Sequence, residues 1–356
     1  MAYTTVNKSS DFFNTVIYNS TGNDNLAITG VGFEADLTWI KKARVVSGSN
    51  TNEAHMWADQ VRGGNNYINS SSNAANASST VDLKSWQSDG FTLGTNNRVN
   101  QGSTPHTYAA YNWKAGGGQG SSNTAGSINT TYTSVNTTAG FSISKYVGTG
   151  STATVGHGLG AVPKMLIIKD LSASTDWSIY HVAVNPESRM VLNTTSSSEG
   201  GGSFFNDTTP TSSVFTIGTS SAVNYSGRNY ICYAFTDIPG YSKFGSYTGN
   251  GNGDGSFIYT GFKPAWIMRK RYDGGANHWS IMNSKRFGYN EVLPYLVANT
   301  EAPEEIDQNV NNIDILSNGF KCRESDANGN GSGNSYIYMA FGQSLVGSNN
   351  VPCTAR

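Results

Sequence analysis

Short apolar runs bounded by Gly, Asn, Asp, Ser and Thr fill most of this chain. That is the pattern of β-strands and turns. In YIYMAF, Tyr336, Tyr338 and Ala340 fall on one side of an extended chain, and Ile337, Met339 and Phe341 on the other. A run apolar on both sides predicts a central strand covered on both faces. Helical periodicity is scarce. The segment PEEIDQNVNN predicts one short helix from Pro303 to Asn312, with the proline at its first position and Glu304 and Glu305 in its first turn.

These runs recur in a fixed order. VGFEADLTWIK (Val31 to Lys41), LGAVPKMLIIK (Leu159 to Lys169) and TGFKPAWIMRK (Thr260 to Lys270) each carry a Gly, an apolar run and a closing Lys. DGFTLG from Asp89, SVFTIG from Ser213 and NGFKCR from Asn318 come next, then YAAYNW from Tyr108, YICYAF from Tyr230 and YIYMAF from Tyr336. Ahead of each copy, Tyr18, Tyr146 and Tyr247 lead into a turn-rich hairpin signal. Trp57, Trp177 and Trp279 come after the Lys-terminated run, the first at a different spacing.

The period is roughly a hundred residues, the size of a domain rather than of a stacked repeat. The expected fold is all-β: three tandem antiparallel β-sandwich or jelly-roll domains, arranged as an elongated or triangular module. The boundaries are residues 1–116 for the first copy with an N-terminal attachment segment, 141–240 for the second and 241–346 for the third. Residues 117–140, rich in Gly, Ser, Thr and Asn, read as a flexible connector carrying one strand around Ser127 to Ser134. Residues 347–356 read as a C-terminal tail.

Composition narrows the function classes. Charged residues are 13% of the chain and the formal net charge is -1, so there is no basic field for nucleic acid or an anionic membrane. No apolar run is long enough to span a bilayer, and the opening MAYTTVNKSSDFF lacks the signature of a signal peptide. Cys232, Cys322 and Cys353 are widely spaced and odd in number, which reads as reduced thiols in a chain made in a reducing cytosol.

Candidate chemistry is sparse. His55, His106, His157, His181 and His278 fall in no zinc-binding spacing, and the GNGNGDG run from Gly249 reads as a hairpin turn. There is no GxSxG elbow and no phosphate-binding loop before a helix. The acidic residues are scattered, with no pair recurring in all copies. The cluster Glu301, Glu304, Glu305 and Asp307 reads as a solvated surface. No catalytic residue, metal or cofactor is therefore assigned, and the chain is expected not to be an enzyme. Trp39 and Trp266 share one face of the repeated strand and, with Trp113, read as core.

Trp57, Trp177 and Trp279 read as core or sheet-edge packing. Trp86, Tyr272, Tyr289 and Tyr295 are not repeated. The densest basic segment carries Arg269, Lys270, Arg271, Lys285 and Arg286. It reads either as a charged sheet edge that resists aggregation or as a contact surface for a protein or an acidic glycan. From this stretch Arg271, Tyr272, Tyr289 and Trp279 are the candidate ligand-binding residues.

The opening MAYTTVNKSSDFFNT, the three Lys-terminated strands, SNGF, YIYMAF and the ending NNVPCTAR resemble a family of tandem β-sandwich proteins from marine bacteriophages. The resemblance covers nearly the whole chain. It implies a virion structural or tail-associated protein and transfers no active site. The sandwich style is similar to concanavalin-like lectins. The resemblance thus leads us to expect a tail fibre or tail-tip adhesin contacting host surface glycan. The alternatives are a capsid-attached head fibre or decoration protein and, less favoured, a polysaccharide depolymerase. Expected partners are further copies of the chain, with a homotrimer favoured, and other virion proteins.

Overall fold

The computed structural model describes residues 4–45, 52–102, 105–286, 289–292, 294–307 and 309–344. The tail at 347–356, with Cys353, lies outside them. The fold is all-β with antiparallel sheets. Helix is confined, among the described residues, to the four-residue turns Asn97–Asn100 and Ser221–Asn224 and the 3-10 turn Ser9–Asp11. The helix expected at Pro303–Asn312 is absent. Glu305–Ile306 instead extends a sheet edge by pairing with Pro294 and Tyr295, and Asn311 sits at φ 62°, outside helical space.

Each copy contributes one large sheet. In the first, Phe13–Asn19, Thr107–Trp113, Leu37–Arg44 and Met56–Asp59 lie side by side in that order. The second keeps this order with Phe141–Val147, Asn229–Phe235, Met165–Asp170 and Ser178–His181, and adds Met190–Val191 beyond the last. The third uses Ser242–Thr248, Ser335–Ser344, Phe262–Arg271, Ser280–Asn283, Pro294–Val297 and Glu305–Ile306. Residues 117–140 are a correction to the flexible connector. Their strand Tyr132–Asn136 pairs along Phe141–Lys145 as the outer strand of the second large sheet, and Ile128 is buried in the core beneath it.

Alternation along the central strands explains how the sheets stack. Tyr108 and Ala110 point into a cluster with Ile28, Leu83, Phe91 and Leu93 of a three-stranded small sheet. Tyr230, Cys232 and Ala234 do the same with Val155, Phe215 and Ile217, and Tyr338 and Ala340 with Ile258, Ile315 and Phe320. The intervening residues Ala109, Tyr111 and Trp113, then Ile231, Tyr233 and Phe235, then Ile337, Met339 and Phe341, all enter one shared cluster. Every tryptophan except Trp86 is in it. Three large sheets therefore back onto a single core, each with a smaller sheet outside.

The strand register corrects one equivalence. Ile40 pairs with Met56, Ile168 with Ser178 and Arg269 with Ser280, so the residue equivalent to Trp177 and Trp279 is His55. Trp57 lies two residues further on, opposite Trp39, and fills the place of Ile179 and Ile281.

The closing Lys of each copy holds the sheets together. Lys41 donates to the Glu301 carbonyl of the third copy at 2.6 Å. Lys169 donates to Asn73 O of the first at 3.2 Å, and Lys270 to Thr195 O of the second at 2.8 Å. The ring indoles and imidazole follow the same path. Trp177 Nε1 reaches Asn69 O at 3.0 Å, Trp279 Nε1 reaches Val191 O at 2.8 Å, and His55 Nε2 meets Val297 O at 3.0 Å. Copy one thus leans on three, two on one and three on two, and the ring closes.

A second device locks each copy internally. Stacked pairs Tyr18–Tyr108, Tyr146–Tyr230 and Tyr247–Tyr336 have ring centroids 5.3, 5.3 and 4.9 Å apart. Beside each pair a buried asparagine ties a hairpin loop to a short turn. Asn224 Nδ2 donates to Ser151 O at 2.7 Å and Gly218 O at 2.8 Å, and its Oδ1 accepts from Thr149 N at 2.7 Å. Asn100 and Asn330 make the corresponding bonds. Asn224→Ala removes three hydrogen bonds, the one to Gly218 O fully buried, and is expected to cost about 3 kcal/mol, read as a lower midpoint in urea unfolding. An unchanged midpoint would contradict this role.

Candidate functional site

Copy three differs from the others on its outer face. In the small-sheet strand Phe257–Tyr259, Ile258 is buried while Phe257 and Tyr259 are 48% and 58% exposed. Pairing with Lys321, Phe320 and Gly319 makes them equivalent to Ala27 and Thr29 in copy one and to Thr154 and Gly156 in copy two. Side chains two apart on a strand share a face, so the two rings stand together. Gly319 lets them sit low. A Cβ there would fall 2.1 Å from Ile258 O and 3.1 Å from the edge of the Phe257 ring. Lys321, across from Phe257, is paired with Asp254 at 2.5 Å. Two exposed rings beside an ion pair form a platform for a ligand with an apolar C–H face and a polar rim. The signal was present in the sequence as FIY at a position where the other copies carry small or hydroxylated residues.

The residues expected to bind ligand do not form one site. Trp279 is a correction: it is 1% exposed, packed in the shared core, with its N–H spent on Val191 O. Tyr272 is half-buried against that core, and its carbonyl accepts from Ser198. Arg271 pairs with Asp273 at 2.8 Å. Tyr289 is 77% exposed. The basic stretch as a whole is not a basic surface. Arg269 is fully buried in an ion pair with Glu324, where copies one and two have Ile40 and Ile168. Lys270 faces the second copy, and Arg286 is buried against Glu304 at 3.1 Å. Glu304 also meets Arg44 of the first copy, so this acid is a junction partner rather than a solvated one.

The buried ionisable groups are structural by their repetition. Burial pulls Lys41 and Lys270 down to about 7 and Lys169 to about 8, yet all three have the same task of donating to carbonyls. Equivalent positions at the three junctions carry different groups. Asp59 accepts from Tyr233 at 2.8 Å and pairs with Arg62 at 2.5 Å between copies one and two. His181 Nε2 lies 3.3 Å from Tyr338 O between two and three, and Asn283 donates to the Tyr111 hydroxyl at 3.3 Å between three and one.

The chain belongs to the family described as Domain of unknown function (DUF7483), whose model matches residues 8–344 and so spans all three copies. No curated protein and no solved structure matches it. Among the described residues, no helix is long and apolar enough to cross a membrane, and no three His, Cys, Asp or Glu side chains gather as a metal site.

The junction histidines set a pH response. The Nδ1 atoms of His181 and His55 accept from Ala183 N and Trp39 Nε1, so protonation would set donor against donor. Burial pushes His181 down to about 4. The unfolded imidazole takes its proton near 6.5. Between these values the unfolded state holds more protons, so stability falls as pH drops from 6.5 to 4, by on the order of 3 kcal/mol. Burial lowers His55 and His157 too, in the same sense, while Asp36, raised to about 6 by burial, works in the opposite sense. His181→Gln keeps an acceptor and a donor without the titration. Its Tm is expected to fall less than that of the unmodified chain between pH 6.5 and 4.5; an equal fall would contradict the assignment.

Proposed function

We propose that the chain is a structural component of a bacteriophage virion, a tail-fibre or tail-tip adhesin that contacts host surface glycan through the outer face of its third copy. Each large sheet and its small sheet are read as one β-sandwich domain, and the three domains as one triangular module. The observation that carries the reading is the exposed Phe257–Tyr259 pair. It is confined to one copy, whereas the features common to all three serve folding. A sugar ring offers C–H edges that complement the negative face of an aromatic ring. Retaining one ring-closed core and varying one outer face is how a scaffold separates stability from recognition. The resemblance to marine phage proteins supports the virion setting, and the span of the family match supports three copies as one inherited unit.

The closed ring also bears on assembly. Three copies in one chain satisfy what a homotrimer satisfies with three chains, so the proposed particle component is self-sufficient, with further copies and other virion proteins meeting its periphery.

Phe257→Ala combined with Tyr259→Ala removes the platform without touching the core, and the stability change is expected to stay within about 0.5 kcal/mol per site. Binding of the purified chain to host cells is expected to weaken at least tenfold. Unchanged binding would exclude this face as the contact surface. Immunogold microscopy of particles is expected to place the chain at the tail. Label spread over the head would favour the capsid-decoration reading instead.

A further inference from the structure

The junction between copies three and one holds a cavity of about 370 Å³. This lies within the ~300–1,000 Å³ range typical of small-molecule sites. Ser9, Ser10, Asn14 and Thr15 line it from the first copy, and Lys263, Ser284 and Lys285 from the third. Its floor is firm: the Phe13 ring packs 5.0 Å from Trp113 and 5.0 Å from Phe341, and Pro264 and Ala265 continue the apolar wall.

The described residues leave this junction more open than the other two. At the other two junctions the corresponding strand start is covered by the chain as it crosses from one copy to the next. Ala115 N donates to Asp36 and Gly118 N to Gln60 between copies one and two. Thr236 Oγ1 donates to Val162 O between two and three. Among the described residues, no such segment covers the corresponding strand start between copies three and one.

Two features point to a ligand. Most lysines and arginines among the described residues are held by carboxylates or carbonyls; Lys263 and Lys285, like Lys114, Lys145 and Lys164, have neither, and these two together line this cavity. Thr15 is 5% exposed, and its hydroxyl oxygen is buried without a partner in the cavity wall. A buried hydroxyl left unpaired is unfavourable, and a ligand hydroxyl would satisfy it.

We propose that this cavity binds an anionic sugar unit, a ring bearing several hydroxyls and one carboxylate or sulfate group. The two ammonium groups supply the charge complement. Three serines and one threonine supply neutral hydroxyls that donate and accept, while the Asn14 amide is already committed to Gly30 O and Val31 O. Phe13 is packed edge and face into the core, so the cavity offers no free aromatic surface for a nucleobase. The site is separate from the Phe257–Tyr259 platform.

The test is isothermal titration calorimetry of the full chain at low salt with sodium glucuronate, glucose and sodium sulfate. Glucuronate is expected to bind at least tenfold more tightly than either glucose or sulfate. Lys263→Gln with Lys285→Gln is expected to weaken glucuronate binding at least tenfold. Lys114→Gln with Lys164→Gln, at lysines that also lack ion pairs but lie elsewhere, is expected to leave it unchanged. Thr15→Val is expected to weaken binding severalfold without lowering the Tm. Sulfate binding as tightly as glucuronate would reduce the cavity to an anion site and overturn the sugar assignment. Glucuronate binding that is absent, or that survives the Lys263 and Lys285 changes, would overturn the proposal.

Discussion

The architecture depends on a sheet that is apolar on both faces. A large sheet carrying Tyr108 and Ala110 on one side and Tyr111 and Trp113 on the other cannot stand with only one layer against it. The small sheet of its own copy covers one face. The other face has only the corresponding faces of its two sisters, and three such faces meet in the tryptophan-rich cluster. Trp39, Trp57 and Trp177 pack in sequence there, with centroids 4.4 and 5.2 Å apart, and Trp266 bridges Trp39 and Trp113 at 6.3 and 5.7 Å. Burial of such large rings is the main favourable term, and it exists only when all three copies are present.

Apolar contact is non-directional and does not by itself fix which copy meets which. The polar groups at the rim supply that direction. A lysine in each copy donates to a carbonyl of the neighbour in the same rotational sense. The equivalent positions Asp59, His181 and Asn283 each match a different partner, so that exchanging two copies would leave a buried carboxylate, imidazole or amide without its complement. The lowered lysine and histidine pKa values follow from the same burial and mark structural positions here, although such shifts elsewhere mark catalysis.

Much of the fold was legible because period-two alternation is a direct record of two covered faces. Tyr336 to Phe341 could be split correctly between its faces from the residues alone. The Trp57 equivalence was not legible. An insertion ahead of the strand shifts the spacing, and only the pairing of Ile40 with Met56 reveals that His55 holds the tryptophan's place. Residues 117–140 look flexible by composition, but Thr133 and Val135 lie in a strand anchored by pairing with Ser144 and Ser142. Tertiary pairing overrides local propensity. The basic stretch misled for a related reason. Counting charges cannot show that Glu324 and Glu304, remote in sequence, lie opposite Arg269 and Arg286. The exposed Phe257–Tyr259 pair required comparing copies for what differs rather than for what recurs.

The central claim is that three copies close around one core instead of trailing as beads. Small-angle X-ray scattering of the purified chain tests it most directly. A compact body of this length has a radius of gyration of about 20 Å, whereas three hundred-residue bodies in a line would give about 30 Å. The closed ring predicts the smaller value with a single-peaked distance distribution. The larger value, or a distribution with separated maxima, would contradict it.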